Sequence, residues 1–378
     1  MLTFNQLSYW EKETYLKRVN FLIIGSGIVG LSTAIHLRKS NPNKKILVLE
    51  RGYLPSGAST KNAGFACIGS ASEILDDLKT NSEIQVFSTL EKRWKGLNYL
   101  RELLGDQAID YQELGSHELF LPKEKEAYLN SLDQLEFLNQ NLKRITGIEH
   151  NFKVANQICE KSGFNGFNKA ISNKAEGQIN TGLMMQSLVQ LAQSIGVQIL
   201  NGIEVKCIKQ QEIETNYGKI AFDKLAICTN GLAKQFLPNE DIQPARAQVI
   251  VTSPIQNLKV QGIYHFDKGY YYFRNIENRV LVGGGRNLDF EAEETDELNT
   301  SDRIINHLSH LLESQILPNA SFTVDHHWAG TMGVGKAKNP ILNQVEENIY
   351  CGVRLGGMGV AIGSLVGKEL AEIISKSS

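Results

Sequence analysis

The sequence predicts an α/β chain: a parallel β-α-β body assembled from both ends, with an antiparallel-sheet lobe and helices inserted in two pieces. Three observations predict it. Near the start, the apolar run NFLIIG, the turn GSGIVG at Gly25–Gly30, a helical stretch over roughly 28–40 and a second apolar run KILVLE follow one another as strand, turn, helix and strand. Near the end, NIYCGVRLGGMGVAIGSLVGKELAEII reads as strand, glycine loop and helix. Between them, two blocks change character. This divides the chain into a first body of residues 1–75, 165–240 and 325–378 and a second lobe of 76–164 and 241–324.

The totals bound what such a chain does. Its 378 residues are 42% hydrophobic and 21% charged, which suits an ordinary globular core. Lys plus Arg number 39 against 41 acidic residues, a net charge of −2, so a general nucleic-acid surface is not expected. The five cysteines (Cys67, Cys159, Cys207, Cys228, Cys351) form no CxxC pair, which excludes a dithiol redox centre and suits a reducing compartment. No apolar run reaches the roughly 18 residues of a membrane helix, and the first twenty residues lack the apolar core of a signal peptide. A cytoplasmic location is expected.

Along the chain, residues 71–145 read as a separate layer of amphipathic helices, from EILDDLKTNSEIQVF to KEKEAYLNSLDQLEFLNQNLKR. TGLMMQSLVQLAQSIG reads as a helix capped at Asn180 or Thr181. VQIL, EVKCIKQ, QEIETNYG and DKLAICTNG read as a meander. RAQVIVTSP and YYYFRNIENRVLVGGG read as further strands, the second a hairpin turning near NIEN. Residues 291–315 read as acidic helix.

Gly25, Gly27 and Gly30 match G-x-G-x-x-G between a strand and a helix. The first permits a tight turn, the second lets backbone approach a pyrophosphate, and the third lets helix pack on strand. The helix N-terminus offers free N–H groups to phosphate. Glu50 ends the second strand, twenty residues after Gly30, where a carboxylate accepts from both ribose hydroxyls. The motif predicts a bound dinucleotide and does not by itself separate NAD from FAD.

ERGYLPSGASTKNAGF, EGQINTGLMMQSLVQLAQSIGVQI, EVKCIK, AICTNGLA, YYYFRNIENRVLVGGG and WAGTMGVGKAKNPIL, in this order, resemble the FAD-dependent D-amino-acid oxidase superfamily, which includes glycine oxidase, sarcosine oxidase and D-amino-acid dehydrogenase. The resemblance implies a Rossmann-like FAD-binding domain plus an antiparallel-sheet substrate domain with helices, as in glutathione-reductase-like two-domain flavoproteins. It implies FAD contacts from Gly25, Ser26, Gly27, Ile28, Val29 and Gly30, from Glu50 and Arg51, and from Ser59, Thr60, Lys61, Asn62, Ala63, Gly64 and Phe65 beside the pyrophosphate and ring. Val205 would meet the adenine, and Thr229, Asn230, Gly231 and Gly330 would be further cofactor contacts. Gly356, Gly357, Met358, Gly359 and Val360 would bring a helix N-terminus to the redox-active ring. Gly359, Gly363 and Gly367 give that helix a smooth face expected to pack on the sheet.

Departures from the family pattern bear on the chemistry. Trp328 stands where sarcosine-oxidase-type members carry the cysteine that attaches FAD, so FAD is expected to be non-covalent. Leu281 stands where those oxidases place a lysine near flavin N5, leaving oxygen or another electron acceptor open. Met332 stands where glycine-oxidase-like members carry the carboxylate-binding arginine, and Met358 where related amine oxidases carry histidine. Tyr271, Arg354 and His327 are the candidate catalytic residues. Arg274, Trp328 and Met332 are the candidate substrate contacts, and Arg354, Arg274 and Arg286 the candidate partners of an anionic substrate. Aromatic packing is the competing reading of Tyr271, and a polar core or flavin-edge contact that of His327. No Cys/His/Asp spacing suggests a metal. The expected reaction is oxidation of a small amine or amino acid by hydride transfer to flavin N5. A 2-hydroxy-acid or polyol-phosphate dehydrogenase, or a flavin-binding protein without turnover, remain the alternatives. The oligomeric state is not legible.

Overall fold

The computed structural model describes residues 3–377. The strand Val19–Ile24, helix Ile28–Ser40 and strand Ile46–Glu50 form as the sequence pattern requires, with the two strands parallel in the register Leu22↔Leu47. Both strands are buried on both faces, which is why they read as unbroken apolar runs. Val19–Ile24 also pairs in parallel with Lys219–Ile227, which pairs in parallel with Ile349–Val353 near the C-terminus. The two ends of the chain thus build one sheet. Gln198–Asn201, the VQIL stretch expected in the meander, instead joins this sheet as a parallel edge strand beside Ile46–Glu50. Only Val205–Lys209, Glu212–Thr215 and Lys219–Ile227 run as the meander.

The C-terminal helix Gly359–Lys376 packs on helix Ile28–Ser40 and on the long helix Glu83–Leu104. Its glycine face meets helices rather than the expected sheet. A Cβ on Gly363 would stand 2.5 Å from Ile28 Cγ2, and one on Gly367 2.6 Å from Ser32 Cβ.

The second sheet has eight strands, in the order Val324–Val334, Gln243–Thr252, Arg279–Gly284, Tyr271–Ile276, Ile263–Phe266, Ser116–Phe120, Lys169–Asn173 and Phe152–Val154. It is antiparallel except where Ile263–Phe266 runs parallel to Ser116–Phe120. Its membership crosses two expected borders. Val324–Val334 is held along Gln243–Thr252, and Lys169–Asn173 along Ser116–Phe120, so both belong to the second sheet. The helical layer expected over 71–145 is likewise interrupted by Ser116–Phe120. One face of this sheet carries a stacked aromatic core, with Tyr264 on Phe273 at 4.8 Å between ring centroids and Phe266 on Tyr271 at 5.2 Å. Helix Asp302–Leu311 covers that face. The acidic segment before it, read as helical, is not. Glu293 is drawn into the sheet, where its carboxylate takes Arg246 Nη2 at 2.6 Å and Gln248 Nε2 at 2.9 Å, and its carbonyl takes the Arg246 N–H. No described helix is long and apolar enough to cross a membrane.

Candidate active site

A cavity of about 920 Å³ lies between the two sheets, near the top of the roughly 300–1,000 Å³ span of small-molecule sites. The glycine loop forms one end. Gly25 has φ +100°, and a Cβ there would stand 2.8 Å from the Cys228 carbonyl oxygen. Ser59 Oγ accepts the N–H of Ile28, so the short helix Ala58–Lys61 is fastened to the start of the loop helix. Asn62 fixes the following turn, donating to the Ser59 carbonyl at 2.8 Å and accepting from the Gly64 N–H at 2.8 Å. Glu50 reaches back to the loop: Ser26 Oγ donates to its Oε2 at 2.6 Å and the Gly52 N–H to its Oε1 at 2.9 Å.

The site residues read from the sequence separate into three groups. Gly25, Gly27, Ile28, Val29, Glu50, Arg51, Ser59, Lys61, Asn62, Ala63, Phe65, Val205, Thr229, Asn230, Gly330, Met332 and Gly356 to Val360 all line the one cavity. Ser26, Gly30, Thr60, Gly64 and Gly231 stand behind its wall. Thr60 donates its hydroxyl to the Pro55 carbonyl, and Gly231 backs onto Met332.

Five side chains are directed elsewhere. Tyr271 lies on the aromatic-core face of the hairpin, because strand alternation turns Tyr272, not Tyr271, to the cavity. Arg354 sits at φ +62° with its guanidinium on the Asp241 carboxylate at 2.9 Å and the Asn339 carbonyl at 2.8 Å. His327 is exposed and meets Thr300 Oγ1 at 3.1 Å. Arg274 is buried and holds the backbone carbonyls of Ile179, Gly64 and Ala63 at 2.7, 3.0 and 3.3 Å. Trp328 packs with Val249, Val251 and Leu281 and donates its indole N–H to the Lys61 carbonyl at 2.9 Å, bracing the cavity wall from behind.

The cavity is also lined by groups that sequence reasoning missed: Cys67, Glu73, Glu176, His265, Tyr270 and Tyr272. The alternation that separates Tyr271 from Tyr272 was a usable signal. Glu176, inside AEGQ, carries none. Glu176 accepts the N–H groups of Ile68 and Gly69 at 2.7 and 2.9 Å, and burial pushes its carboxyl up. Burial also opposes ionisation of Glu73, but the Arg93 and Lys338 cations outweigh it and hold the carboxyl below its ordinary value. Burial pushes the Tyr272 phenol up to about 12 and the His265 imidazole down, so both are neutral near pH 7. Burial, then Glu176 and Glu73, push the Cys67 thiol well up, which leaves it a poor nucleophile. Among the described residues no group of three or more His, Cys, Asp or Glu could hold a metal.

The residues present fit a dinucleotide with a ring system at its inner end. Thr229 Oγ1, on the wall, is buried without a hydrogen-bond partner. The loop helix and the C-terminal helix both open on the cavity with no cap from their own N-cap side chains, so their first-turn N–H groups, apart from that of Ile28 which Ser59 Oγ holds, are available to an anion or a carbonyl. A Cβ on Gly356 or Gly357 would meet nothing within 4 Å, as expected where backbone borders an open cradle. Substituting Glu50→Ala removes the acceptor pair at the adenosine end. We expect FAD affinity to fall roughly 10- to 100-fold, or about 1.4–3 kcal/mol for two hydrogen bonds to a charged acceptor. Fluorescence titration of the flavin-free protein reads this, and unchanged affinity would displace the adenosine from this end.

Comparison with known proteins agrees with this geometry. The "Sarcosine oxidase subunit beta" of Rhizobium meliloti is 21% identical over 362 residues, covering 90% of this chain and 80% of that protein. The "Gamma-glutamylputrescine oxidoreductase" of Escherichia coli is 22% identical over 372 residues, covering 93% of this chain and 82% of that protein. The crystal structure of glycine oxidase from Bacillus cereus superposes with a TM-score of 0.75 at 17% identity, over 95% of this chain and 96% of that one. The DAO family model, described as FAD dependent oxidoreductase, matches residues 20–373, and the chain accordingly belongs to this family of FAD-dependent enzymes.

Proposed function

We propose that this enzyme oxidises a small amine or amino acid, with FAD held non-covalently in the cavity between the two sheets. The observation that carries the reading is that the carboxylates Glu73 and Glu176 line the same cavity as the neutral groups His265 and Tyr272. Such a set would offer an amine nitrogen hydrogen-bonding partners. The relatives named for sarcosine and gamma-glutamylputrescine support an amine substrate. When bound, FAD supplies the two-electron acceptor for the hydride leaving the carbon next to the substrate nitrogen. Neither the Tyr272 hydroxyl nor the His265 imidazole hydrogen-bonds a described protein group, so both are free to hold the substrate's polar atoms. The imine formed then hydrolyses to the oxo product. Oxygen or another acceptor takes the electrons onward.

Anaerobic mixing of the FAD-loaded enzyme with a panel of amines, amino acids and 2-hydroxy acids tests this. Bleaching of the flavin absorbance by an amine or amino acid is expected. Bleaching by hydroxy acids alone would transfer the assignment to hydroxy-acid oxidation. No bleaching across the panel, in protein that dithionite still reduces, would mark a flavin carrier without turnover.

A further inference from the structure

We propose that Lys338 is an exchangeable counter-ion of Glu73: an entering substrate ammonium takes its place on the carboxylate while Lys338 withdraws onto Asp77, so that the enzyme selects amines that arrive as cations. The inference rests on the amine-oxidation reading above and deepens it by naming the residue that screens the amine. Glu73 lines the cavity, and two cations stand on its carboxylate. Arg93 Nη1 is 3.5 Å from Oε1, and Lys338 Nζ is 3.7 Å from the same oxygen. Both separations exceed the roughly 2.7–2.9 Å of a close charge-assisted hydrogen bond. Burial opposes ionisation of the carboxyl, but the two cations outweigh it, so Glu73 is an anion at neutral pH. It is a charged acceptor on the cavity that keeps room for a closer donor.

The two cations differ in how firmly they are held. Arg93 lies on helix Glu83–Leu104 with its side chain 6% exposed, and its Nη1 also donates to the Ile68 carbonyl at 2.7 Å. It stays where it is. Lys338 stands on the segment 335–340, between strands Val324–Val334 and Ile341–Glu346, with its side chain 55% exposed. The backbone of that segment is pinned on both sides of the lysine. The Lys336 N–H donates to Asp241 Oδ2 at 2.9 Å. The Asn339 carbonyl accepts from Nη2 and Nε of Arg354 at 2.8 and 3.1 Å. Arg354 in turn holds the Asp241 carboxylate. The backbone is fixed, and the side chain between the pins keeps the freedom of a four-carbon stem.

Asp77 gives Lys338 a place to withdraw to. Its Oδ1 lies 2.5 Å from Nζ, much closer than Glu73. Glu73 and Asp77 are one turn apart on helix Ala71–Asp77, so they share a face and one lysine spans them. The Glu73 N–H is tied to Ser70 Oγ at 3.2 Å, which fixes the start of that turn. Leaving Glu73 therefore keeps the Lys338 ammonium paired, and an exposed ion pair is weak enough in water to be given up. The exchange conserves charge, since one cation leaves the carboxylate as another arrives. It also replaces a long pair by a close one. A neutral molecule of the same shape brings no charge to replace that of the lysine, and this asymmetry is the selection.

The test compares wild type with Lys338→Met, Lys338→Arg, Glu73→Gln and the double variant of Lys338→Met and Glu73→Gln, all loaded with FAD. The probes are tert-butylamine, a cation at neutral pH, and tert-butyl alcohol, a neutral molecule of the same shape. Neither carries hydrogen on its central carbon, so calorimetry reads binding without turnover. Lys338→Met removes the competing cation. We expect it to lower the dissociation constant of tert-butylammonium about two- to fivefold, the span of one exposed ion pair, and to leave tert-butyl alcohol unchanged. Lys338→Arg keeps the cation and should bind as wild type does. Glu73→Gln should weaken tert-butylammonium more than about tenfold, and in that background Lys338→Met should have no further effect. Unchanged or weaker ammonium binding in Lys338→Met would overturn the proposal. So would equal tightening of amine and alcohol, or a Lys338→Met effect that persists in Glu73→Gln. Should Glu73→Gln fail to fold, the Lys338 variants decide by themselves, because the side chain they change is exposed. If no amine bleaches the wild type while Lys338→Met still tightens the ammonium, the amine-oxidation reading fails and the counter-ion assignment stands.

Discussion

Replacing Arg274 with methionine should destabilise the protein by about 3 kcal/mol and strip it of FAD. The side chain is 5% exposed and has no carboxylate partner within hydrogen-bonding distance. Its Nη1 is shared by the carbonyls of Ile179, Gly64 and Ala63, and its Nε serves the carbonyl of Asn275. Burial brings its pKa down to about 10, so it is still a cation at neutral pH. Methionine fills much of the stem's volume but takes a donor from four carbonyls, of which that of Gly64 keeps the Ile179 N–H, and the losses together cost on the order of 3 kcal/mol. Relief of the desolvated charge offsets part of this. For a chain of this length, about 3 kcal/mol is a fall of about 4 °C in Tm. The functional loss should be larger than the thermal one. Gly64 ends the Ser59–Gly64 segment along the cavity floor, and Arg274 ties it to the second sheet. Thermal melts and the flavin retained on purification check both. Wild-type Tm together with wild-type flavin content would show that this clamp does not hold the floor.

Gly30→Ala should have the second large effect, for a steric reason alone. Its φ is not in the left-handed region, so alanine meets no backbone strain there. An added Cβ would instead stand 1.9 Å from the Gly25 carbonyl oxygen and 3.3 Å from Ile23 Cγ2. No side chain can yield, because the obstacle is the backbone of the glycine loop itself. Either the helix lifts from the strand or the Gly25 peptide turns, and each alters the N–H groups at the start of the helix. We expect FAD affinity to fall more than about 100-fold, with destabilisation of several kcal/mol as for other overpacked interiors. Gly57→Ala is the control for stability. There the φ is −78° and an added Cβ meets nothing within 4 Å, so its Tm should stay near wild type. Retention of normal FAD affinity by Gly30→Ala would mean that helix and strand are less tightly coupled than the geometry requires.

What could be read in advance followed from how far apart the interacting residues lie in the chain. The parallel strands announced themselves through unbroken apolar runs, and the hairpin turned at Glu277 and Asn278, inside the stretch where it was expected. The segment 291–300 was misread because its acidic composition suits a helix, whereas Arg246, 47 residues away, claims Glu293. The stretch VQIL was placed in the meander because its edge pairing with Ile46–Glu50 joins residues about 150 apart.

The sequence by itself determined the turns and helix starts that border the cavity. The glycine spacing, the terminal acid at Glu50 and the last glycine loop are local patterns, and each is set by a turn or a helix start within a few residues. Tertiary structure alone decided which side chains face the cavity. Tyr271 and Tyr272, or Arg274 and Arg286, are equivalent in composition and nearly so in position along the chain. What separates them is the partner each finds: an aromatic core behind the sheet, carbonyls up to 211 residues away, or an open cavity. A guanidinium becomes available to a ligand only when the fold has left it unpaired, and that depends on distant backbone that no local pattern encodes.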